Sequence, residues 1–227
     1  MKTVRQNYEQ VQTKIRQACA RAGRNPQEVQ VVAVTKYVDL ETTKETLDAG
    51  ILHIGESKVQ DGIPKWKELG DRGTWHFIGH LQRKKSKDVV GRFRYLHSLD
   101  RLSLADELER RLEVIGDELN VFIQVNISGE ETKYGISPKE LEDFVQAMSK
   151  YKFIKPIGLM TMAPHTENQS LIREIFQELK YRQVQIQNTV LPTLSELSMG
   201  MSQDYEIAVE EGATFVRLGS TLTGGRP

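Results

Sequence analysis

The chain has 227 residues, 31 basic against 31 acidic side chains, and a single cysteine, Cys19. Zero net charge gives no general attraction to nucleic acid or anionic lipid, and one thiol cannot close an internal disulfide, which fits a reducing cytoplasm. The longest stretch free of Asp, Glu, Lys and Arg, residues 183–195, is too short and polar to span a bilayer, and the N-terminus lacks the apolar core of a signal peptide.

At ~150 residues per domain, the length leaves one large domain or two small ones. In chain order, residues 1–23 place Val4, Tyr8, Val11, Ile15 and Ala18 at spacings of three and four, which predicts an amphipathic helix stopped by Gly23. The run Val29-Gln-Val-Val-Ala-Val-Thr35 is too short for a helix and rich in β-branched residues, so it reads as a buried strand. Seven more such runs follow at 51–55, 74–79, 94–99, 120–127, 156–160, 194–199 and 214–219. Helical patterns lie between them at 40–49, 58–69, 82–90, 101–113, 138–151, 168–188 and 204–211. Ser137-Pro138 reads as a helix start.

Strand–helix alternation predicts a parallel sheet, and eight units can close into a barrel, with an open doubly wound sheet as the alternative. No helix is expected after the last strand, so the N-terminal helix would fill that gap in the outer ring. No linker or repeat divides the sequence, which predicts one domain over residues 1–227.

Active sites of such barrels lie at the C-terminal ends of the strands. The first strand ends Thr35-Lys36-Tyr37. A lysine at the barrel mouth is desolvated, which lowers an amine's pKa and exposes the lone pair that Schiff-base chemistry needs; alternatively it snorkels to solvent. The seventh strand runs into Ser198-Met199-Gly200-Met201-Ser202 and the eighth into Arg217-Leu218-Gly219-Ser220. Small residues at these two loops suit a phosphate held by backbone N–H groups, or else simply make tight turns. By alternation Arg217 shares a face with Phe215 and Gly219, so an inward face would put a fixed cation beside the ligand. A lysine, a phosphate cup and an arginine across the barrel together describe a pyridoxal phosphate pocket.

With these residues in place, the sequence closely resembles the YggS/PROSC (PipY-like) family of pyridoxal 5′-phosphate (PLP) homeostasis proteins. The resemblance rests on Val32-Ala-Val-Thr-Lys36, Gly55-Glu-Ser-Lys-Val-Gln60, Trp75-His-Phe-Ile-Gly-His-Leu-Gln82, Gln124-Val-Asn-Ile-Ser128 with Lys133-Tyr-Gly135, Gly158-Leu-Met-Thr161, Leu197-Ser-Met-Gly-Met-Ser202, and Val216-Arg-Leu-Gly-Ser220 closing with Gly224-Gly-Arg226. It implies a single (β/α)8 TIM barrel with an extra N-terminal helix, similar to the alanine racemase N-terminal domain and of PLP fold type III. Lys36 would form the Schiff base. Ser198, Met199 and Gly200 with Gly219 and Ser220 would hold the phosphate, Arg217 would face the pyridine nitrogen, and His80 and Met160 would lie near the site. Ser57 stands where the family often has Asn, and would reach the cofactor ring only through water.

An arginine at the ring nitrogen disfavours its protonation and weakens the ring as an electron sink. The shortness of the chain also leaves no second domain of the racemase kind. Together these imply a cytoplasmic, monomeric carrier that passes PLP to apo-enzymes without classical catalysis. The alternatives are a weak racemase, with Lys36 as base and His80 or Tyr37 as the other acid/base, and a cofactor-responsive module that binds a regulatory partner. His76 and His80, four apart across a strand end, make a poor zinc pair, and the methionines at 160, 162, 199 and 201 are expected to fill the barrel mouth.

Overall fold

Eight parallel strands close into a barrel in sequence order: β1 (Gln30–Val34), β2 (His53–Glu56), β3 (Thr74–Phe77), β4 (Tyr95–Leu99), β5 (Leu119–Gln124), β6 (Ile154–Met160), β7 (Glu196–Ser198) and β8 (Phe215–Leu218). This architecture comes from a computed structural model, which describes residues 2–130 and 132–224; the Gly225-Arg226 end of the closing motif lies outside the described residues. The closing pair aligns Val32 of β1 with Arg217 of β8. Around the strands run α1 (Val4–Ala22), α2 (Leu40–Asp48), α3 (Val59–Leu69), α4 (Ser86–Val89), α5 (Leu102–Ile115), α6 (Leu141–Met148), α7 (Gln169–Thr189), α8 (Tyr205–Glu210) and α9 (Ser220–Thr223). The (β/α)8 barrel read from the alternation is therefore the fold.

Period-2 alternation sorts the strand residues into two cores. Val32, Phe122, Met160 and Phe215 fill the barrel interior. Their neighbours Val31, Ala33, Val216 and Leu218 face outward into the larger core beneath the helices. Phe215 lies inside, so the face it shares with Arg217 does point into the barrel.

The first helix takes the place in the ring expected of it. Thr3 and Gln6 form a capping box at its start, and Gly23 ends it at φ +65°, a conformation that costs glycine nothing. Val11, Ile15, Ala18 and Cys19 are buried, and α1 packs against α8 and α9. Asn7 Nδ2 donates to the Leu222 carbonyl of α9 at 2.8 Å.

Three helical expectations need correction. Residues 82–90 form a 3-10 turn (Arg83–Lys85) and the single turn of α4, because the chain swings out through Gly91 at φ +76° to enter β4. The Ser137-Pro138 start leads into a turn in place of a helix. There the Ser137 hydroxyl accepts the Lys139 N–H and Glu140 Oε2 accepts the Ser137 N–H, so α6 begins only at Leu141. After β8 the chain makes one further helical turn, α9, in which Gly219 O accepts from the N–H of Leu222 and Thr223.

Because α1 closes the ring through packing and not through its surface ion pairs, Ile15→Ala should lower unfolding free energy by about 2–5 kcal/mol in urea titration. Lys14→Ala, which removes the exposed pair to Glu206, should change it by less than about 1 kcal/mol.

Candidate functional site: a cavity at the barrel mouth

The C-terminal ends of the strands open into a cavity of 740 Å³ whose wall includes Lys36, Ser57, His80, Arg217, Gly219 and Ser220. Those six residues come from the ends of four strands, and the fold brings them all to one opening. Ser202 links the two loops expected to meet an anion. Its hydroxyl accepts the N–H of Gly219 at 3.3 Å and of Thr221 at 3.4 Å, and its carbonyl accepts the Thr221 hydroxyl.

Lys36 stands on the turn that follows β1. Its Nζ lies 4.8 Å from the centre of the Tyr37 ring and, among the described residues, has no hydrogen-bond or ion-pair partner. The strand end beneath it is fixed by a buried network. Lys65 Nζ donates to the Thr35 carbonyl (2.6 Å) and to Glu56 Oε1 (2.9 Å), which also accepts the Thr35 hydroxyl (2.6 Å). Glu56 is fully buried, Lys65 nearly so, and Glu56 Oε2 has no hydrogen-bond partner. A buried pair of this kind adds little net stability but loses much when one partner goes, so its consequence here is rigidity at the base of Lys36.

Arg217 is 4% exposed and donates to Ser198 Oγ (2.6 Å) and to the Thr161 carbonyl (3.0 Å). The ion pair that commonly satisfies a strand arginine does not form among the described residues. Burial pushes its pKa down to about 10, opposed by the charge of Asp204. Ser198 Oγ also meets His97 Nδ1 at 2.7 Å, His97 Nε2 meets His76 Nδ1 at 2.8 Å, and His76 Nε2 meets His53 Nδ1 at 2.8 Å. Burial, with the neighbouring imidazoles and Arg217 adding to it, holds His76 and His97 well below the usual histidine value of 6.5. His53 is lowered by burial as well. Tyr95 stacks flat on His76 at 4.3 Å, and Phe122 covers His97 at 4.4 Å.

His80, by contrast, points to the mouth, stacked on Tyr134 at 3.9 Å with Nδ1 3.6 Å from Asp100 Oδ2. His76 and His80 thus sit in different environments, one inside the barrel and one on its rim.

Four expected residues lie off the cavity wall. Met160 belongs to the interior cluster and Met199 to the outer core, so neither fills the mouth. The Ser198 side chain is turned inward and taken up by Arg217 and His97. Gly200, at φ +91°, makes the turn and gives its carbonyl to the Arg217 N–H; a Cβ there would meet that of Ala208 at 2.5 Å. Only after this turn do side chains reach the cavity, at Met201, Ser202 and Gln203. Arg217 is also not across the barrel from Lys36. The closing β1–β8 pair makes them neighbours, Arg217 aligned with Val32, four residues deeper than Lys36. The sequence reading missed Glu56, Lys65, His53 and His97. Histidines on three consecutive strands, 23 and 21 residues apart, were the available signal for two of them.

The family model of the alanine racemase N-terminal domain matches residues 4–227. A pyridoxal phosphate homeostasis protein of Aquifex aeolicus is 39% identical over 214 residues, covering 94% of each chain. That of Escherichia coli K12 is 37% identical over 233 residues, covering 100% of this chain and 98% of the other. The solved structure of PipY from Synechococcus elongatus with PLP bound superposes with a TM-score of 0.81 at 31% identity, covering 93% of this chain and 100% of that one. The chain belongs to the family of pyridoxal phosphate homeostasis proteins.

Two stability measurements check the polar networks. Lys65→Met leaves the Glu56 carboxylate buried without its cation, and should cost about 3–5 kcal/mol in denaturant titration. The three imidazoles bind protons less readily folded than unfolded, so their contribution is complete above about pH 6.5 and is lost as pH falls below it. Unfolding free energy should therefore decline between about pH 7 and pH 5, and the decline should be shallower in His76→Phe.

Proposed function

We propose that the chain binds PLP in the mouth cavity as a single domain, attached covalently through Lys36, and serves cytoplasmic PLP homeostasis as a monomeric carrier. The reading rests first on Lys36, whose amine has no polar partner among the described residues and stands on the wall of a 740 Å³ cavity that also holds a buried arginine. When bound, the cofactor supplies an aldehyde that condenses reversibly with an amine. The residues present suit it. Ser202, Gly219 and Ser220 line one end of the cavity, and Gly219 leaves room, since a Cβ there would approach Val34 no closer than 3.6 Å. Ser57 and His80 flank the opening, and Arg217 brings a positive charge to the pyridine end.

Arg217 donates and cannot accept, so it does not favour a protonated ring nitrogen. That argues for holding the cofactor and passing it to apo-enzymes over carbanion chemistry. The racemase alternative asks for a second acid/base opposite Lys36. Tyr37 is 71% exposed and shares the lysine's own turn, while His80 is engaged by Tyr134 and Asp100. Solvent-deuterium exchange at the α-carbon of amino acids, no faster than with free cofactor, is the expected result.

Purified protein supplied with PLP should be yellow, and borohydride should fix the cofactor to the Lys36 peptide. Lys36→Ala should give no covalent adduct by mass spectrometry. A colourless protein with no lysine adduct overturns the proposal.

A further inference from the structure

A line of five side chains joined by four hydrogen bonds runs through the barrel interior from Arg217 to its N-terminal face. It passes Ser198, His97 and His76 and ends at His53, with every step between 2.6 and 2.8 Å. His53, the half-buried member, opens on a cleft at the far end of the barrel lined in part by Glu28 and Glu196.

The direction of this line follows from elementary hydrogen-bond chemistry. A guanidinium has donors only, so Ser198 Oγ accepts from Arg217. Among the described residues the Ser198 hydroxyl has one other partner, His97 Nδ1, so donation to it is the arrangement that satisfies the hydroxyl proton. His97, neutral and accepting at Nδ1, carries its proton on Nε2 and donates to His76 Nδ1. His76 then donates from Nε2 to His53 Nδ1, and the proton of His53 Nε2 faces the cleft. One cation fixes three tautomers. Each acceptor lone pair faces back towards Arg217, so the dipoles add, and low local dielectric strengthens such a sum.

We propose that this relay positions Arg217: His97, His76 and His53, acting through Ser198, orient the guanidinium at the floor of the cavity and sustain its charge there in place of a carboxylate. The surroundings agree. The Thr161 carbonyl holds the other nitrogen, Asp204 acts at longer range with its Oδ1 taken by the Met201 N–H, and Tyr95, Phe122 and Phe215 pack around the fully buried His76 and His97. A carboxylate in bonding contact would neutralise Arg217 where the ligand needs its charge, whereas a chain of neutral dipoles sustains the charge and leaves it uncancelled. The consequence for cofactor binding rests on the PLP reading above; the relay itself does not.

The test begins with ligand-free protein labelled with 15N at histidine. Two-dimensional spectra at neutral pH should show His53, His76 and His97 neutral with the proton on Nε2. In Arg217→Met, and in Ser198→Ala should the first variant fold poorly, His97 should gain a second population protonated on Nδ1. Protons on Nδ1 of His76 and His97 in the wild type, or an unchanged pattern in the folded variants, overturn the proposal. PLP titration supplies the second readout. His97→Phe should raise the dissociation constant about tenfold and shift the visible band of the bound cofactor, the loss expected when a hydrogen-bond chain to a charged group is cut. His97→Asn, whose Oδ1 can still accept the Ser198 proton, should restore most of both. Equal loss in Phe and Asn overturns the proposal. A wild type that takes up no PLP removes the cofactor reading alone, because the tautomer pattern is measured without the ligand.

Discussion

A full positive charge stands inside this barrel with no carboxylate among the described residues bonded to it, and much of the interior is arranged around that fact. Isolated ions in protein interiors are costly, and a strand arginine ordinarily solves the problem with an acid. Arg217 instead spends its donors on a hydroxyl and a backbone carbonyl. The hydroxyl leads to three imidazoles, and the carbonyl comes from Thr161, the residue just past the end of β6. Strands β2, β3, β4, β6, β7 and β8 therefore all contribute to the setting of one side chain. Only a closed barrel can bring so many strand ends to one point, so the fold is a condition of the charge and not merely its container.

Lys36 has a separate foundation, built from Thr35, Glu56 and Lys65. This network ties β1, β2 and α3 together at the level where the chain leaves β1. Closure places β1 beside β8, so the two foundations stand side by side and the residues they carry differ chiefly in depth. Lys36 rises from the rim turn, while Arg217 lies level with Val32 in the interior cluster. One cavity thus receives an amine near its opening and a cation on its floor, each held by polar contacts that the other does not share.

What the sequence revealed follows the same division. Alternation of short β-branched runs with 3.6-period segments was enough for the barrel, since each strand shows its own period and each long helix its own stripe. The inward face of β8 could be read from Phe215, Arg217 and Gly219 for the same reason. Cross-strand chemistry could not be read that way. His53, His76 and His97 are ordinary residues in their own segments, and only the barrel's register makes them neighbours. Glu56 and Lys65 look like a surface pair in the sequence, yet α3 folds them into the seam behind β1. The seventh strand misled in detail because it ends at Ser198, so the positive-φ turn at Gly200 moves the cavity-facing positions three residues along. The same limit explains α4: helical period says nothing of how soon a glycine must turn the chain towards the next strand.

Holding a reactive aldehyde and giving it up again place opposite demands on a site, and depth separates them here. The floor is rigid, with Arg217, Ser198 and His97 at 4% exposure or less and joined by bonds of 2.6–2.7 Å. The rim is not built in this way. Tyr37 is 71% exposed, Tyr134 56% and Met201 38%, and side chains with so much surface in water resist displacement weakly. On the proposed reading, recognition would therefore be strict at the floor beside Arg217, while departure would be governed at the rim. There the proposed attachment to Lys36 would be the last strong tie. A condensation with an amine is reversible, so under the carrier role proposed above an incoming amine would compete for the aldehyde while the floor stays intact.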